Sequence, residues 1–424
     1  MNNLHIIIGL LIFIITYGII ISEKINRTTI SIFGAALMLV FFIETQEAAI
    51  EHIDFNTIGI LIGMMVIVNI IKRTGIFEYV AIKSAKLSGG SIFKLIVILS
   101  SVTAVSSSLL DNVTTILLIA PVTMVIAESL EINPVPLLIP EILASNIGGT
   151  ATLIGDPPNI MIGSAANISF MDFVINLGPI VVVILIITFI LLKFILKNSL
   201  GYEERNYKKI LDMDELKTIK DNKLLIKSGI VLGITILGFA LHDVLGYESA
   251  TVALFGAALL LMVSKVDPEE ILIDVEWATI AFFIALFVLV GGLEEIGALD
   301  FLAMKLFDIT EGDTVVTAIL ILWVSAIASA FLDNIPFVAT MIPLITNLAR
   351  LGNMDVTVLW WALSLGACLG GNGTIFGASS NVIVSGMIQK KGYRMTFGHY
   401  FKIAFPLMIV SIVLSTIYLY IFYL

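Results

Sequence analysis

Two aspartates stand alone near the middle of long apolar stretches. Asp111 is the only charged residue between Lys94 and Glu128, and Asp333 occupies the matching place within 314–349. A carboxylate at the centre of a bilayer costs roughly 2.5–3.5 kcal/mol on insertion scales, so it needs a proton, a cation or a water-filled cavity. An Asp at the start of a helix is also a good N-cap. Ion handling and capping are therefore both open for these two residues.

Two other apolar stretches, 136–165 and 356–388, are interrupted by clusters of Gly, Pro and Asn. Such residues break a helix, and unpaired backbone groups in hydrocarbon cost several kcal/mol, so a break survives only where it lines a cavity or binds something. Hydroxyl, amide and carbonyl oxygens beside one carboxylate suit Na⁺ or a proton pathway. Half-helix N-termini near Pro157 and Ser379 would favour an anion between the two breaks.

The candidate ion-binding residues are the polar residues of both acidic tips and both breaks. They are Asp111, Asn112, Thr114, Ser145, Asn146, Gly149, Thr150, Thr152, Asp156, Asn159, Asp333, Asn334, Gly371, Asn372, Thr374, Ser379, Ser380 and Asn381. Candidate Na⁺ sites lie at Asp111/Asn112 and Asp333/Asn334, and the candidates for proton coupling are Asp111, Asp333, Glu141 and Asp156. We expect no other cofactor, no metal cluster and no catalytic residue.

The chain repeats itself at a fixed offset of 222 residues, without a gap. Asp111-Asn112 matches Asp333-Asn334, and the glycines and asparagines of the two breaks also match. Two acids break this symmetry, since Asp156 corresponds to Ala378 and Glu141 to Leu363. Acids found in one copy only are not demanded by a fold that both copies share. Asp156 could carry a proton or cap the helix that starts at Pro157, whereas for Glu141 we favour a functional role.

Composition indicates an all-α polytopic membrane protein. Hydrophobic residues make up 58% of the chain and charged residues 13%, about half the charged fraction of a soluble domain. Uncharged runs near ~20 residues are long enough to span a bilayer. The single cysteine, Cys368, excludes an intramolecular disulfide, and no nucleic-acid signature is visible. The first 22 residues lack the features of a signal peptide, so we expect a retained span.

The repeat and the apolar runs together predict the domain organisation. Repeat 1 covers 1–196, with three spans within 4–71, a hairpin at 95–127, a broken helix at 136–165 and a last span at 172–192. A cytoplasmic linker, 197–223, follows. Repeat 2 covers 224–424, with three spans within 225–292, a hairpin at 314–349, a broken helix at 356–388 and a last span at 402–424.

The distribution of positive charge predicts the topology. Five loops, 23–27, 72–94, 193–227, 265–275 and 388–402, contain all the Lys and Arg residues except Lys305 and Arg350. Placing them in the cytoplasm puts both termini outside and gives five spans per repeat, so the repeats are inverted. Each hairpin arm, such as 95–110, would be ~24 Å long, short of a ~30 Å core. We therefore expect re-entrant hairpins; the alternative is two thin spans with Asp111 in an outer loop.

Three stretches resemble the ion transporter superfamily, and within it the ArsB/P-protein permeases, whose relatives include citrate-transporter-like and NhaD-like proteins. They are ASNIGGTATLIGDPPNI (144–160), LDNIPFVATMIPLI (332–345) and ACLGGNGTIFGASSNVIVSG (367–386). The resemblance implies inverted repeats, a scaffold (4–71 and 225–292) that mediates a homodimer, and elevator-type movement of the remaining spans.

The tips depart from one branch of that superfamily. Divalent-anion/sodium symporters carry Ser-Asn-Thr at both tips, whereas here the tips begin Asp111-Asn112 and Asp333-Asn334. This difference argues against simple transfer of dicarboxylate specificity and favours a carboxylate that itself handles H⁺ or Na⁺.

The sequence thus predicts a secondary active transporter in the cytoplasmic membrane, not an enzyme. It would be coupled to H⁺ or Na⁺ and would move a small inorganic ion, of the arsenite or anion efflux type, by an elevator mechanism. The alternatives are an NhaD-like Na⁺/H⁺ antiporter, a citrate-like carboxylate transporter and a passive channel. An intramembrane aspartyl protease with an Asp111/Asp156 dyad is disfavoured because Asp156 has no mirrored acid and an enzyme would not need a second acidic tip beside a second break.

Overall fold

The computed structural model describes residues 3–22, 24–197, 209–351 and 355–424 and contains helices but no strand in those ranges. The helices of the first half are α1 Asn3–Ser22, α2 Arg27–Val40, α3 Gln46–His52, α4 Phe55–Lys72, α5 Ile76–Leu87, α6 Ile92–Leu109, α7 Asn112–Leu130, α8 Val135–Gly149, α9 Pro157–Ala166 and α10 Phe170–Ile195. A 3₁₀ turn, Glu215–Thr218, follows. The helices of the second half are α11 Asn222–Leu245, α12 Ser249–Ser264, α13 Pro268–Ile273, α14 Trp277–Glu295, α15 Ala298–Thr310, α16 Thr314–Phe331, α17 Asn334–Leu351, α18 Thr357–Gly370, α19 Ser379–Lys390 and α20 Phe397–Phe422.

Nine helices in the described ranges are long and apolar enough to cross a membrane: α1, α4, α6, α7, α10, α11, α14, α16 and α20. The helices α2, α8, α12 and α18 are apolar but shorter. Many large apolar side chains of α1, α10 and α11 are exposed, as expected for helices that face lipid. The prediction of an all-α polytopic membrane protein is confirmed.

The sequence repeat is also a structural repeat. Helices α6 and α16 are offset by 222 residues at both ends, and α9 and α19 begin at positions related by the same offset. Each copy contains three apolar helices (α1, α2 and α4 in the first), a helical hairpin, a broken helix and a last span. That makes five crossings if the hairpin is re-entrant and seven if it spans, so the number is odd and the copies are inverted.

Several helix bounds differ from those predicted. The first hairpin arm, α6, has 18 residues and is therefore ~27 Å long, close to the ~30 Å core, because Ser91 caps it earlier than expected. Arm length alone thus does not make the hairpin re-entrant. The last spans also begin earlier and are longer, at α10 and α20, because Ser169 and Thr396 cap their N-termini.

The two repeats interlock through the apolar helices that precede their hairpins. Helix α4 packs along α12 of the other copy, and α14 packs along α2 in the mirrored arrangement. The approach is close, since a Cβ on Gly63 would lie 2.6 Å from the carbonyl carbon of Ala253. Side chains at the centre of these helices, such as Ile67 and Phe283, are fully buried.

The described part of the predicted linker is held against the first repeat. Lys86 Nζ lies 2.5 Å from one carboxylate oxygen of Glu215, and Lys83 Nζ lies 3.4 Å from the other. The hydrogen bond from Lys86, supported by Lys83, lowers the pKa of Glu215 to about 2. Residues 198–208 of the linker lie outside the described ranges.

Candidate functional site

The tip of the first hairpin lies against the break of the first broken helix. Ser107 Oγ donates a hydrogen bond to the carbonyl oxygen of Ser145 at 2.7 Å, and Ser145 Oγ donates to the carbonyl oxygen of Asn112 at 3.0 Å. Thr152 Oγ1 donates to the carbonyl oxygen of Ser108 at 2.5 Å. The α6–α7 turn is therefore fixed beside the point where α8 ends.

The second hairpin makes the mirrored contacts. Ser329 Oγ donates to the carbonyl oxygen of Ala367 at 2.6 Å, and Thr374 Oγ1 donates to that of Ala330 at 2.5 Å. Both tips thus lie at the middle of a broken helix, whose halves are ~22 Å and ~15 Å long in the first copy. A tip in that position supports a re-entrant hairpin better than arm length does.

Asn146 joins the two breaks at the centre of the molecule. Its Nδ2 donates to Asn372 Oδ1 at 2.9 Å and to Asn381 Oδ1 at 3.1 Å. Its Oδ1 accepts hydrogen bonds from Asn112 Nδ2 at 3.1 Å and from Ser380 Oγ at 3.0 Å. All five residues are buried. The structure therefore brings polar residues from both copies into one network.

Backbone carbonyl groups that the first break leaves without a helical partner accept hydrogen bonds from one side-chain amide. Asn159 Nδ2 donates to the carbonyl oxygens of Gly149, Thr150 and Thr152 at 3.4, 3.2 and 3.0 Å. These carbonyl groups would otherwise be unpaired in an apolar environment.

Asn381 plays the same part in the second break. Its Nδ2 donates to the carbonyl oxygens of Gly371 and Thr374 at 2.7 and 2.9 Å. These five carbonyls of the two breaks are thus engaged within the protein in this conformation. An ion that used them as ligands would have to compete with the two asparagines.

The three aspartates of the candidate site differ in their partners. Asp111 accepts the backbone N–H of Thr114 at 2.7 Å, which is an N-cap contact, and it has no cationic partner within the described ranges. Asp156 lies at the N-cap position of α9 but makes no capping bond. The physical reason is that Pro157 and Pro158 carry no N–H, so a usual donor to the cap is missing.

Asp156 instead contacts the tip of the other hairpin. Its Oδ1 and Oδ2 lie 3.4 and 3.5 Å from Asn334 Nδ2, and the residue is 1% exposed. Asp333, the neighbour of Asn334, uses its Oδ1 to cap α17 at the N–H of Ile335. Asp156 therefore links the first break to the second acidic tip.

The second oxygen of Asp333 is part of an ion pair that the sequence analysis missed. Arg27 Nη1 lies 2.7 Å from Asp333 Oδ2 and 2.6 Å from Ser379 Oγ, and its guanidinium lies 5.0 Å from the centre of the Phe282 ring. The distribution of positive charge places Arg27 in a cytoplasmic loop and gives it no role at the site. Its place as the first residue of an apolar helix, mirrored by Ser249, was the signal available.

Arg27 and Asp333 lie in the wall of a cavity of about 310 Å³. The rest of the wall is mostly apolar and comes from α1, α16, α17 and α19. The side chain of Asp333 is 17% exposed and that of Arg27 is 32% exposed. The second acidic tip is therefore reached from a cavity, whereas Asp156 is enclosed.

The structure does not bring Glu141 to this group. Thr123 Oγ1 donates to Glu141 Oε1 at 2.7 Å, and Oε2 has no hydrogen-bond partner within the described ranges. Thr123 lies in α7 and Glu141 in α8, and their side chains meet away from the tips. Those ranges also contain no cluster of three or more His, Cys, Asp or Glu residues that could hold a metal ion.

Comparison with known proteins agrees with this architecture. Residues 17–366 match the citrate transporter family. The chain is 40% identical over 424 residues to a 46 kDa membrane protein of Mycobacterium leprae, covering 99% of both chains. It is 41% identical over 423 residues to an uncharacterized transporter of Mycobacterium tuberculosis, covering 98% of both.

Two more distant proteins extend the comparison. The human P protein is 33% identical over 487 aligned positions, which cover 95% of this chain and 58% of that protein. The crystal structure of the YdaH transporter of Alcanivorax borkumensis superimposes with a TM-score of 0.61 at 14% identity, covering 99% of this chain and 97% of that one. This likeness shows a shared fold. The family match and the two mycobacterial relatives, which align over their full length, show that the chain belongs to the citrate transporter family of membrane transporters.

Proposed function

We propose that this secondary transporter is driven by H⁺ or Na⁺ and moves a small inorganic ion by an elevator mechanism. The observation that carries the proposal is the gathering of Asp111, Asp156 and Asp333 around the junction of two hairpin tips and two helix breaks. Buried carboxylates at membrane depth are costly unless they exchange a proton or a cation. Of these three aspartates, only Asp333 has a cationic partner within the described ranges.

Few polar side-chain contacts join the scaffold helices to the remaining helices. Tyr17 Oη donates to the carbonyl oxygen of Pro336 at 2.6 Å, and Arg27 reaches Asp333. On another face, Ser164 Oγ donates to Asp54 Oδ1 at 2.9 Å. A largely apolar boundary with few polar contacts supports movement of one unit past the other.

A carboxylate substrate is the second candidate. The family is named for citrate, and a guanidinium matches the geometry of a carboxylate. Arg27 on the wall of the cavity favours this alternative over an Na⁺/H⁺ antiporter. The acidic tips count against a substrate with several carboxylates, because they bring negative charge to the same place.

The test is transport by purified protein in proteoliposomes with imposed pH or Na⁺ gradients. The panel contains arsenite, chloride, phosphate, citrate, Na⁺ and Li⁺. We expect uphill accumulation of one inorganic ion, driven by one gradient. Asp111→Asn and Asp333→Asn should reduce coupled flux at least about ten-fold, whereas Asp308→Asn, an exposed acid on α15, should not. Unchanged flux in both tip variants would reject the carboxylate role, and flux only down a gradient would indicate a channel.

We also propose that the protein lies in the cytoplasmic membrane as a homodimer, with both termini outside the cell. Positive charge in the predicted cytoplasmic loops supports the orientation, and the family resemblance supports the dimer. Labelling of terminal cysteines with a membrane-impermeant reagent tests the orientation. Light scattering of the detergent-solubilised protein tests the dimer.

A further inference from the structure

The two mirrored breaks have opposite chemistry where their second halves begin. In the first break, Asp156 precedes Pro157 and Pro158, which have no N–H groups. In the second, Ala378 precedes Ser379 and Ser380, and no side chain caps α19. The N–H groups of Ser379 and Ser380 have no hydrogen-bond partner in the described part of the chain. The first break therefore disfavours an anion, whereas the second offers backbone donors, beside which Asp333 Oδ2 accepts a hydrogen bond from Ser379 Oγ at 2.8 Å.

Arg27 supplies an independent reason to expect an anion beside the second break. Its Nη1 is shared between Asp333 and Ser379, but Nη2 and Nε have no partner among the described residues. A guanidinium that forms one ion pair and keeps further N–H donors is suited to a planar or tetrahedral oxyanion. The guanidinium of Arg27 also lies on the wall of the 310 Å³ cavity, which has the volume of about ten water molecules.

We propose that this cavity binds a small oxyanion and that binding is coupled to protonation of Asp333. The inference rests on the proposed function, because it names the substrate class of the same transporter. In the conformation described, the Asp333 carboxylate acts as an internal anion for Arg27. A proton that enters the cavity neutralises Asp333 at Oδ2. Arg27 is then left with a net positive charge, and the oxyanion takes the place of the carboxylate.

The charged surroundings of Asp333 favour this exchange. Arg27 of α2 is its cationic partner, and Asp156 of the first break contacts the adjacent Asn334. Helix α1 contributes only the neutral Tyr17, whose hydroxyl donates to Pro336. Asp156 in turn lies near both Asp333 and Asp111, and Glu276 at the start of α14 lies near Asp111. Negative neighbours make uptake of one proton and one anion together less costly than uptake of the anion alone.

The tip and break of the first repeat lack this combination of an arginine and free backbone donors. Ser249 stands where Arg27 would be, and Pro157 stands where Ser379 would be, so Asp111 has neither partner. Because H⁺ and the oxyanion enter the same cavity together, the inference predicts a symport rather than an antiport.

The experiment measures the affinity of the purified full-length protein for sulfate and for nitrate, from the shift in unfolding temperature at mildly acidic and mildly alkaline pH. Both probes keep their charge over that range. We expect binding at least about ten-fold tighter at the acidic pH. Asp333→Asn, which mimics the protonated acid, should bind equally at both pH values. Arg27→Gln should not bind, Arg27→Lys should bind more weakly than the wild type, and the mirrored Ser249→Ala should behave as the wild type.

Wild-type binding that is independent of pH, or unchanged binding by Arg27→Gln protein that elutes as a single species, would overturn the inference. If Arg27→Gln does not fold, Arg27→Lys and Asp333→Asn still decide it. The outcome is separate from that of the transport assay. The predicted binding pattern without gradient-driven flux would reject only the proposed function, and gradient-driven flux without this pattern would reject only the inference.

Discussion

At the scale of single residues, the centre of the molecule depends on asparagine amides rather than on charges. An amide both donates and accepts, so one Asn can join groups from two repeats without the cost of a buried ion. Asn146 does so with four partners, whereas the mirrored residue Cys368 offers only a thiol, which lies 3.4 Å from Asn159 Oδ1 and is also close to Asp156. The network is therefore asymmetric, although the backbone around it is repeated.

Asn146→Ala should destabilise the protein strongly. The substitution leaves several buried polar groups without a partner, each at a cost of about 1–3 kcal/mol, so we expect a loss of about 3–5 kcal/mol in the free energy of unfolding. The matched Cys368→Ala removes one buried thiol and should cost about 1 kcal/mol. Reversible unfolding in mixed detergent micelles, followed by circular dichroism, measures both. Equal losses in the two variants would show that the amide network contributes little.

At the scale of helices, the broken helices lie against the hairpins at very short range. A Cβ on Gly148 would lie 2.2 Å from the carbonyl oxygen of Ala104, and a Cβ on the mirrored Gly370 would lie 2.5 Å from that of Ala326. Both obstacles are backbone atoms and cannot rotate away. These glycines therefore allow α8 to pack on α6, and α18 on α16, closely enough for the tip-to-break hydrogen bonds to form.

Gly148→Ala should separate α8 from α6 and lower the unfolding temperature. Overpacking against backbone typically costs about 1–3 kcal/mol, and the shift should also weaken the hydrogen bond from Ser107 to Ser145. Gly178→Ala in α10 is the matched control, since a Cβ there has no neighbour within 4 Å. That variant should be neutral or stabilised by up to about 1 kcal/mol, because Ala is the better helix former. A Gly148→Ala protein as stable as the control would contradict the close packing.

The sequence allowed prediction of much of this architecture but not of the ion pairs. The 222-residue offset, the caps and the Gly–Pro breaks depend on local chemistry, so they could be found in the chain itself. The partnership of Arg27 with Asp333 joins residues 306 positions apart and needs three-dimensional contact. From the sequence, Asp156 could be either a helix cap or an ion-handling residue, because both roles use the same residue type. The two prolines that follow Asp156 carry no N–H to donate to a cap, so they favour the ion-handling role.

At the scale of the whole molecule, the two repeats are not independent folding units. Helix α4 is largely buried and packs mainly on α12 of the other half, and α14 packs on α2 in return. A separated half would expose these faces together with its side of the asparagine network. Lipid could cover the apolar faces, but it offers no partner to the amides of Asn146, Asn372 and Asn381.

Dividing the chain within 198–208 should therefore give two fragments that are stable only together. We expect fragments 1–200 and 205–424, expressed in the same cells, to copurify through a tag on one of them and to elute as a single species. Either fragment expressed alone should aggregate or be degraded, because its buried amides are left without partners at about 1–3 kcal/mol each. Copurification with Asn146→Ala in the first fragment provides the matched comparison and should give a reduced yield. If either half alone gave a monodisperse, helical species, then the interlocked scaffold and the shared polar centre would not be what holds the repeats together.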